Sequence, residues 1–167
     1  MQNINVGDII LSTPANQLIG MQKSIIFVVS VTEYIIGVII NKPVKGVPLS
    51  NFMPNHLSQL KGHFYFGGPS FENSHLLIHT FSKLPFTNLI KEGLYYNINL
   101  WVNSPLFLLN EEQAIIDSNF RCYFGYCMWD VAHLSNGINE GLFFVLPSNS
   151  IENIFENLED KWENLIQ

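Results

Sequence analysis

The sequence predicts an α+β domain built on a mixed sheet, and three observations carry that expectation. Apolar runs such as "SIIFVVSV" and "YIIGVII" are strand-length, β-branched and without polar alternation, so their strands need cover on both faces. Strand-like and helix-like segments are mixed without strict βαβ alternation. No repeat, low-complexity tract or linker divides the 167 residues, a length that fits one domain over 1–167.

The elements follow in order. "GDIILSTP" gives a short strand that stops at Pro14. "KSIIFVVSV" and "YIIGVIIN" form a hairpin across Thr32-Glu33. Asn41 to Pro48 is a breaker cluster, and "LSNFM" suits a helical turn. "GHFYF" and "SHLLIHT" read as strands on either side of a Gly-Gly-Pro loop, and "LYYNINLWV" as a strand with one wetter face. "NEEQAIIDS" is a short helix with Asn110 as N-cap and Glu111 and Glu112 at the positive end of its dipole. "RCYFGYC" is a strand; "DVAHLSNGI" is a helix capped by Asp130 and ending near Gly137; "GLFFVLP" is a strand. In the last segment Ile151, Ile154, Phe155, Leu158, Trp162 and Leu165 fall on one helical stripe, with Glu152, Glu156, Glu159 and Glu163 off it. That pattern predicts a C-terminal amphipathic helix covering the sheet.

Composition narrows the function classes. Hydrophobic residues make up 47% and charged residues 13%, a globular balance and not a disordered one. The net charge is −6, the basic residues are scattered, and Arg121 is the only arginine. Duplex DNA binding draws its affinity from a clustered basic stripe, so it is disfavoured. No apolar run reaches the roughly 20 residues of a membrane helix. "MQNINVGDII" has neither the basic n-region nor the apolar h-region of a secretory signal. Cys122 and Cys127, five apart in a strand, are expected on opposite faces and unbridged. A reduced, cytoplasmic protein is expected.

Each chemical signal has a plainer structural reading. A phosphate loop needs strand, glycine turn and helix, but "FYFGGPS" runs into a strand and lacks the lysine. Gly67, Gly68 and Pro69 therefore read first as a turn, with a ligand or peptide contact as the alternative. His75 and His79 share a face, but two histidines do not complete a zinc site, and His79 reads as a core histidine bonded to backbone. The cysteines sit in an aromatic strand with little positive charge, which keeps a thiol neutral. No G-x-S-x-G elbow is present. No catalytic residue, metal or cofactor is assigned. Arg121, Tyr126 and Trp129 are the best surface candidates, since arginine and aromatics dominate binding hot spots. The plainer reading has Trp129 plugging the core and Arg121 paired with a carboxylate.

Several stretches together resemble one family. They are "GDIILSTP", "GVIINKP" (37–43), "FGGP" (66–69), "LLIHT" (76–80), "RCYFGYCMW" (121–129) and the closing "IFENLEDKWENLI". Their order and intervals resemble the AlgH family of bacterial proteins, including its YqgE-type members, over about Gly7 to Ile166. The resemblance implies a bifurcated mixed sheet surrounded by helices and a cytosolic bacterial protein. It implies no settled activity; some members carry the label of transcriptional regulator. The sequence departs from the family pattern at Cys127-Met128, where a small pair is usual. It departs again at His133-Leu134-Ser135, and at Phe143-Phe144 in the region of a late tryptophan.

The expected function is a non-enzymatic binding or regulatory protein with an unidentified protein or small-molecule partner. Its contact region is expected where the Asn41-Lys42-Pro43 turn, the Gly67-Gly68-Pro69 loop and the Tyr126 to Trp129 junction converge, with Arg121 as a further binding candidate. The alternatives are a small hydrolase-type or thiol-dependent enzyme using His79 or a cysteine, and a nucleic-acid-binding regulator using Lys23, Lys42 and Lys45. Low surface charge with 13% aromatics points to self-association.

Overall fold

Ile25, Phe27 and Val29 project into one apolar core, and Ile26 and Val28 into a second core on the other side. Successive side chains of one strand point to opposite faces, so this strand is covered on both, as its unbroken β-branched run requires. The computed structural model describes residues 3–48, 63–83, 86–98 and 118–167.

The strands are β1 (Ile9–Ser12), β2 (Ile25–Val31), β3 (Tyr34–Ile39), β4 (Pro43–Pro48), β5 (His63–Phe66), β6 (Ser70–His79), β7 (Asn88–Lys91), β8 (Leu94–Ile98), β9 (Phe120–Asp130) and β10 (Phe143–Leu146). Among the described residues the α-helices are α1 (Val131–Asn139) and the single turn α2 (Trp162–Leu165). The main path of the sheet runs β10-β1-β2-β3-β9-β6-β8-β7, with β5 on β9 and β4 on β5. The β5–β9 pair is parallel; the other described pairs are antiparallel.

β9 is the branch point. Its first half, Cys122 to Phe124, pairs with β5, and its second half, Cys127 to Asp130, pairs with β3. β6 pairs along the other side of the first half and reaches as far as Tyr126. Between the two halves Gly125 adopts φ +68°, a left-handed conformation that suits glycine and shifts the strand's alternation by one residue. Tyr123 and Tyr126, three apart, consequently enter the same core.

That shift corrects one expectation. Cys122 and Cys127 fall on the same side of β9, not on opposite sides. Both are free because five residues of extended chain hold them roughly 16 Å apart.

The expected envelope of helices is also corrected. The molecule is a mostly β structure with a curled half-barrel sheet, not an α+β domain with helices surrounding its sheet. Most of the predicted C-terminal amphipathic helix is absent: only Trp162–Leu165 is helical. The stripe is nonetheless buried, at Ile151, Ile154, Phe155, Leu158 and Trp162. The physical reason lies in the asparagines. The Oδ1 of Asn153 accepts from Phe155 N–H at 3.0 Å, and that of Asn157 from Glu159 N–H at 3.1 Å. These local turns compete with helical bonding. The carbonyls of Ile154 and Phe155 are taken by the guanidinium of Arg121.

The breaker cluster at Asn41 to Pro48 is in part a strand. β4 begins and ends on proline and pairs with β5, with a register shift between Val44 and Pro48. Proline is tolerated at strand ends and irregularities. β7 lacks a clear apolar pattern and was not anticipated; Glu92-Gly93 turns it onto β8, with Gly93 at φ +79°. The expected helix at 49–53, and that at 110–118 but for Ser118, lie outside the described residues.

Candidate functional site

The glycine loop after β5 fills the fork of β9. Gly67 N–H donates to the Phe124 carbonyl at 2.7 Å, and the Gly67 carbonyl accepts from Ile39 N–H at 2.7 Å. One residue thus joins the end of β3 to the middle of β9. A Cβ on Gly67 would lie 2.3 Å from the Gly125 oxygen and 2.8 Å from Tyr123 Cβ. Gly68 packs equally close to the Tyr126 backbone. Here "FYFGGPS" is a seam between strands. No helix follows it, so it has no phosphate-cradle geometry.

Residues expected to share one contact region divide between two cavities. Pro69 and Trp129 line a cavity of about 320 Å³ where β9 runs into α1. Trp129 meets Phe143 edge to face, with ring centres 5.5 Å apart. Cys127, Met128, Met21 and Leu18 complete the apolar wall. Asp130 caps α1 as expected, accepting from His133 N–H at 2.7 Å. Beyond that cap, His133, Asn136, Gly137 and Glu140 present one helical face to the cavity at the i, i+3, i+4, i+7 spacing. Gly137 lies mid-helix, where its missing side chain admits Phe143: a Cβ there would approach the ring to 2.9 Å. The helix ends at Asn139, two residues past Gly137 as expected, and Gly141, φ +79°, turns the chain out, with Leu142 N–H bonded to the Gly137 carbonyl at 2.8 Å.

Asn41, Pro43 and Arg121 line the second cavity, about 280 Å³, against the C-terminal segment. Its polar groups are occupied. Asn41 accepts from Ile25 N–H and donates to the Lys23 carbonyl, both at 2.9 Å. Buried Arg121 donates to the Ile154 carbonyl at 3.1 Å and to that of Phe155, and stacks over Tyr65 at 4.8 Å. Lys45 pairs with Glu159 at 3.0 Å. Tyr126 lines neither cavity; it lies buried beneath Phe71, rings stacked 4.9 Å apart.

The profile of the AlgH-like family matches residues 9–167. The chain belongs to the AlgH-like family. It is 24% identical over 169 residues to a UPF0301 protein of Bacteroides fragilis, covering 96% of this chain and 80% of that protein. A second UPF0301 protein, from Bacteroides thetaiotaomicron, is 24% identical over 166 residues, covering 96% and 81%. The fold is similar to a crystal structure of a Corynebacterium diphtheriae protein, with TM-score 0.71, 17% identity, and 98% and 86% of the two chains covered. It is also similar to the solution structure of the AlgH protein from Pseudomonas aeruginosa, with TM-score 0.65, 14% identity, and 88% and 79% covered.

The remaining reactive side chains of this AlgH-like chain are restrained. Burial pushes the Cys122 thiol well up, and the Cys127 thiol to about 12 despite the opposing influence of Lys42. Cys127 points its sulfur at the Gly67 carbonyl, 3.9 Å away. Lys42 donates to the Gly20 carbonyl at 2.7 Å, and burial lowers its pKa. His79 accepts from Phe81 N–H at Nδ1, 3.1 Å, so its proton sits on Nε2 and is donated to Asn97 Oδ1. Burial lowers its pKa, partly offset by the Asn97 bond. His79 is thus a neutral core histidine with both nitrogens engaged. Among the described residues no group of three or more His, Cys, Asp or Glu could hold a metal ion, and no helix is long and apolar enough to cross a membrane.

Sequence reasoning missed most of the cavity wall. Leu18 and Met21 come from a loop with no motif, and Leu142 follows the turn at Gly141. The one available signal was the helical spacing of His133, Asn136 and Glu140 beyond a tryptophan.

Proposed function

We propose that the protein is a non-enzymatic binding protein whose ligand site is the cavity at the β9–α1 junction. The observation that carries this reading is the cavity itself. At about 320 Å³ it falls in the size range of small-molecule sites, and it combines an apolar wall with a few polar groups on one edge. A regulatory role would follow from occupancy of that site.

The enzymatic alternative has less support. Ser70, Cys127 and His133 all line the cavity, yet among the described residues no hydrogen bond joins His133 to either nucleophile. The thiol is also held neutral by burial. Nucleic-acid binding has less support again. Of its three candidate lysines, Lys23 pairs with Glu163, Lys45 with Glu159, and Lys42 is held by a carbonyl.

A thermal-shift screen against nucleotides, metabolites, amines and short nucleic acids tests the reading. A ligand at about a hundred times its Kd stabilises by roughly 2.7 kcal/mol, a plainly raised Tm. The expected result is one class of small-molecule hits, lost in Trp129→Ala once that variant is shown to be folded. Hits that persist in the variant, or a flat screen, would move function away from this cavity.

A further inference from the structure

The cavity's charges are one-sided. Among the described residues that line it, Glu140 is the only lysine, arginine, aspartate or glutamate, with His133 two turns earlier on the same face. It stands at the C-cap of α1, whose last turn contains no basic residue. A carboxylate there is at the wrong end of the helix: the dipole already makes that end negative, and a cation is what it stabilises. No ion pair between described residues neutralises Glu140. The nearest cation that Cys127 senses, Lys42, is held by the Gly20 carbonyl and does not line the cavity. The Asn136, Ile138 and Gly137 carbonyls near the end of α1 are taken by the Glu140, Gly141 and Leu142 N–H groups. A cation at this spot would be held by the carboxylate and the helix field.

Aromatic residues line the same cavity. Trp129 is the best side chain for a cation–π contact, and its edge-to-face contact with Phe143 leaves a bent apolar surface suited to a ring. Met21 and Met128 add soft contacts that adapt to ring shape.

We propose that the cavity takes a small cationic amphiphile, an arylalkyl or alicyclic amine with its ring against Trp129 and Phe143 and its ammonium group at Glu140. This rests on the reading of the cavity as the binding site. It excludes the class that a −6 protein also repels at long range, small organic anions.

Three probes of one shape and different charge test it: 2-phenylethylamine, 2-phenylethanol and 3-phenylpropanoate. Binding is followed at low salt by the NMR shift of the Trp129 indole N–H, assigned with Trp129→Phe. The amine is expected to bind about ten-fold or more tighter than the propanoate, with the alcohol between. Glu140→Gln should bring the amine to within about two-fold of the alcohol while leaving the alcohol unchanged. Glu159→Gln, a carboxylate of the other cavity, should alter none of the three. Equal or tighter binding of the propanoate, or a preference for amine that survives Glu140→Gln, overturns the inference. An alcohol that binds without any advantage to the amine removes the inference and leaves the site. Failure of all three to move the Trp129 signal removes both.

Discussion

Two cavities of similar size, about 320 and 280 Å³, lie on opposite faces of the sheet and differ in what their polar groups are doing. In the cavity under the C-terminal segment, Asn41, Arg121, Lys45 and Glu159 are bonded to backbone or to one another. They hold a non-helical segment onto the sheet. In the cavity beside α1, no hydrogen bond between described side chains engages Glu140, and the wall is apolar. Volume alone would rank the two alike. The state of the polar groups separates a structural cavity from one with interactions still to offer.

The largest effect expected of this contrast is at Arg121. Arg121→Met strands two buried carbonyls and breaks the stack on Tyr65, and should cost about 4 kcal/mol in urea unfolding. Its partners are in the structural cavity, so the fraction that remains folded should keep any ligand response at Trp129. Asn41→Ala removes two buried backbone bonds and should cost about 2 kcal/mol by the same measurement. A loss under about half a kilocalorie at either site would erase the distinction between the cavities.

The next effect concerns pH. The folded-state pKa of His79 lies below its usual value near 6.5, so below about pH 6.5 the unfolded chain binds the proton more readily. Stability is then fully present above that pH and lost as pH falls towards the depressed folded value. Urea midpoints between pH 7.5 and 5 should fall, and His79→Gln should flatten the slope. An unchanged slope in that variant would point to other groups. The smallest effect is at Asn136, on the polar edge of the α1 cavity. Asn136→Ala should change stability by no more than about 0.5 kcal/mol while weakening ligand binding. A large loss of stability would show that this edge is structural too.

Much of the sheet was legible in single residues. Ile25 to Val31 and Tyr34 to Ile39 announce strands by β-branching, the two-residue Thr32-Glu33 link fits their hairpin, and Asp130 marks the start of α1. The C-terminal segment was misread because its stripe is real but its backbone bonding is decided elsewhere. Asn153 and Asn157 offer turns locally, and Arg121, more than thirty positions earlier, captures the carbonyls a helix would need. The parity of the cysteines failed for a similar reason: one glycine, Gly125, resets the alternation. The candidate site was half legible. Pro69 and Trp129 stood out by type, but Leu18, Met21 and Phe143 join them only through strand pairing at long range.

The fork at β9 has a consequence for the order of assembly. β3, β5 and β6 all wait for one strand, Phe120–Asp130, as a pairing partner. A ribosome adds roughly 5–20 residues per second, so these earlier segments spend seconds without that partner. During that interval their edges can pair with another chain. Such long loops make closure slow, and topology of this kind folds late. A nascent chain halted before Phe120 should be captured by chaperones, and release of the next dozen residues should set the sheet in one step.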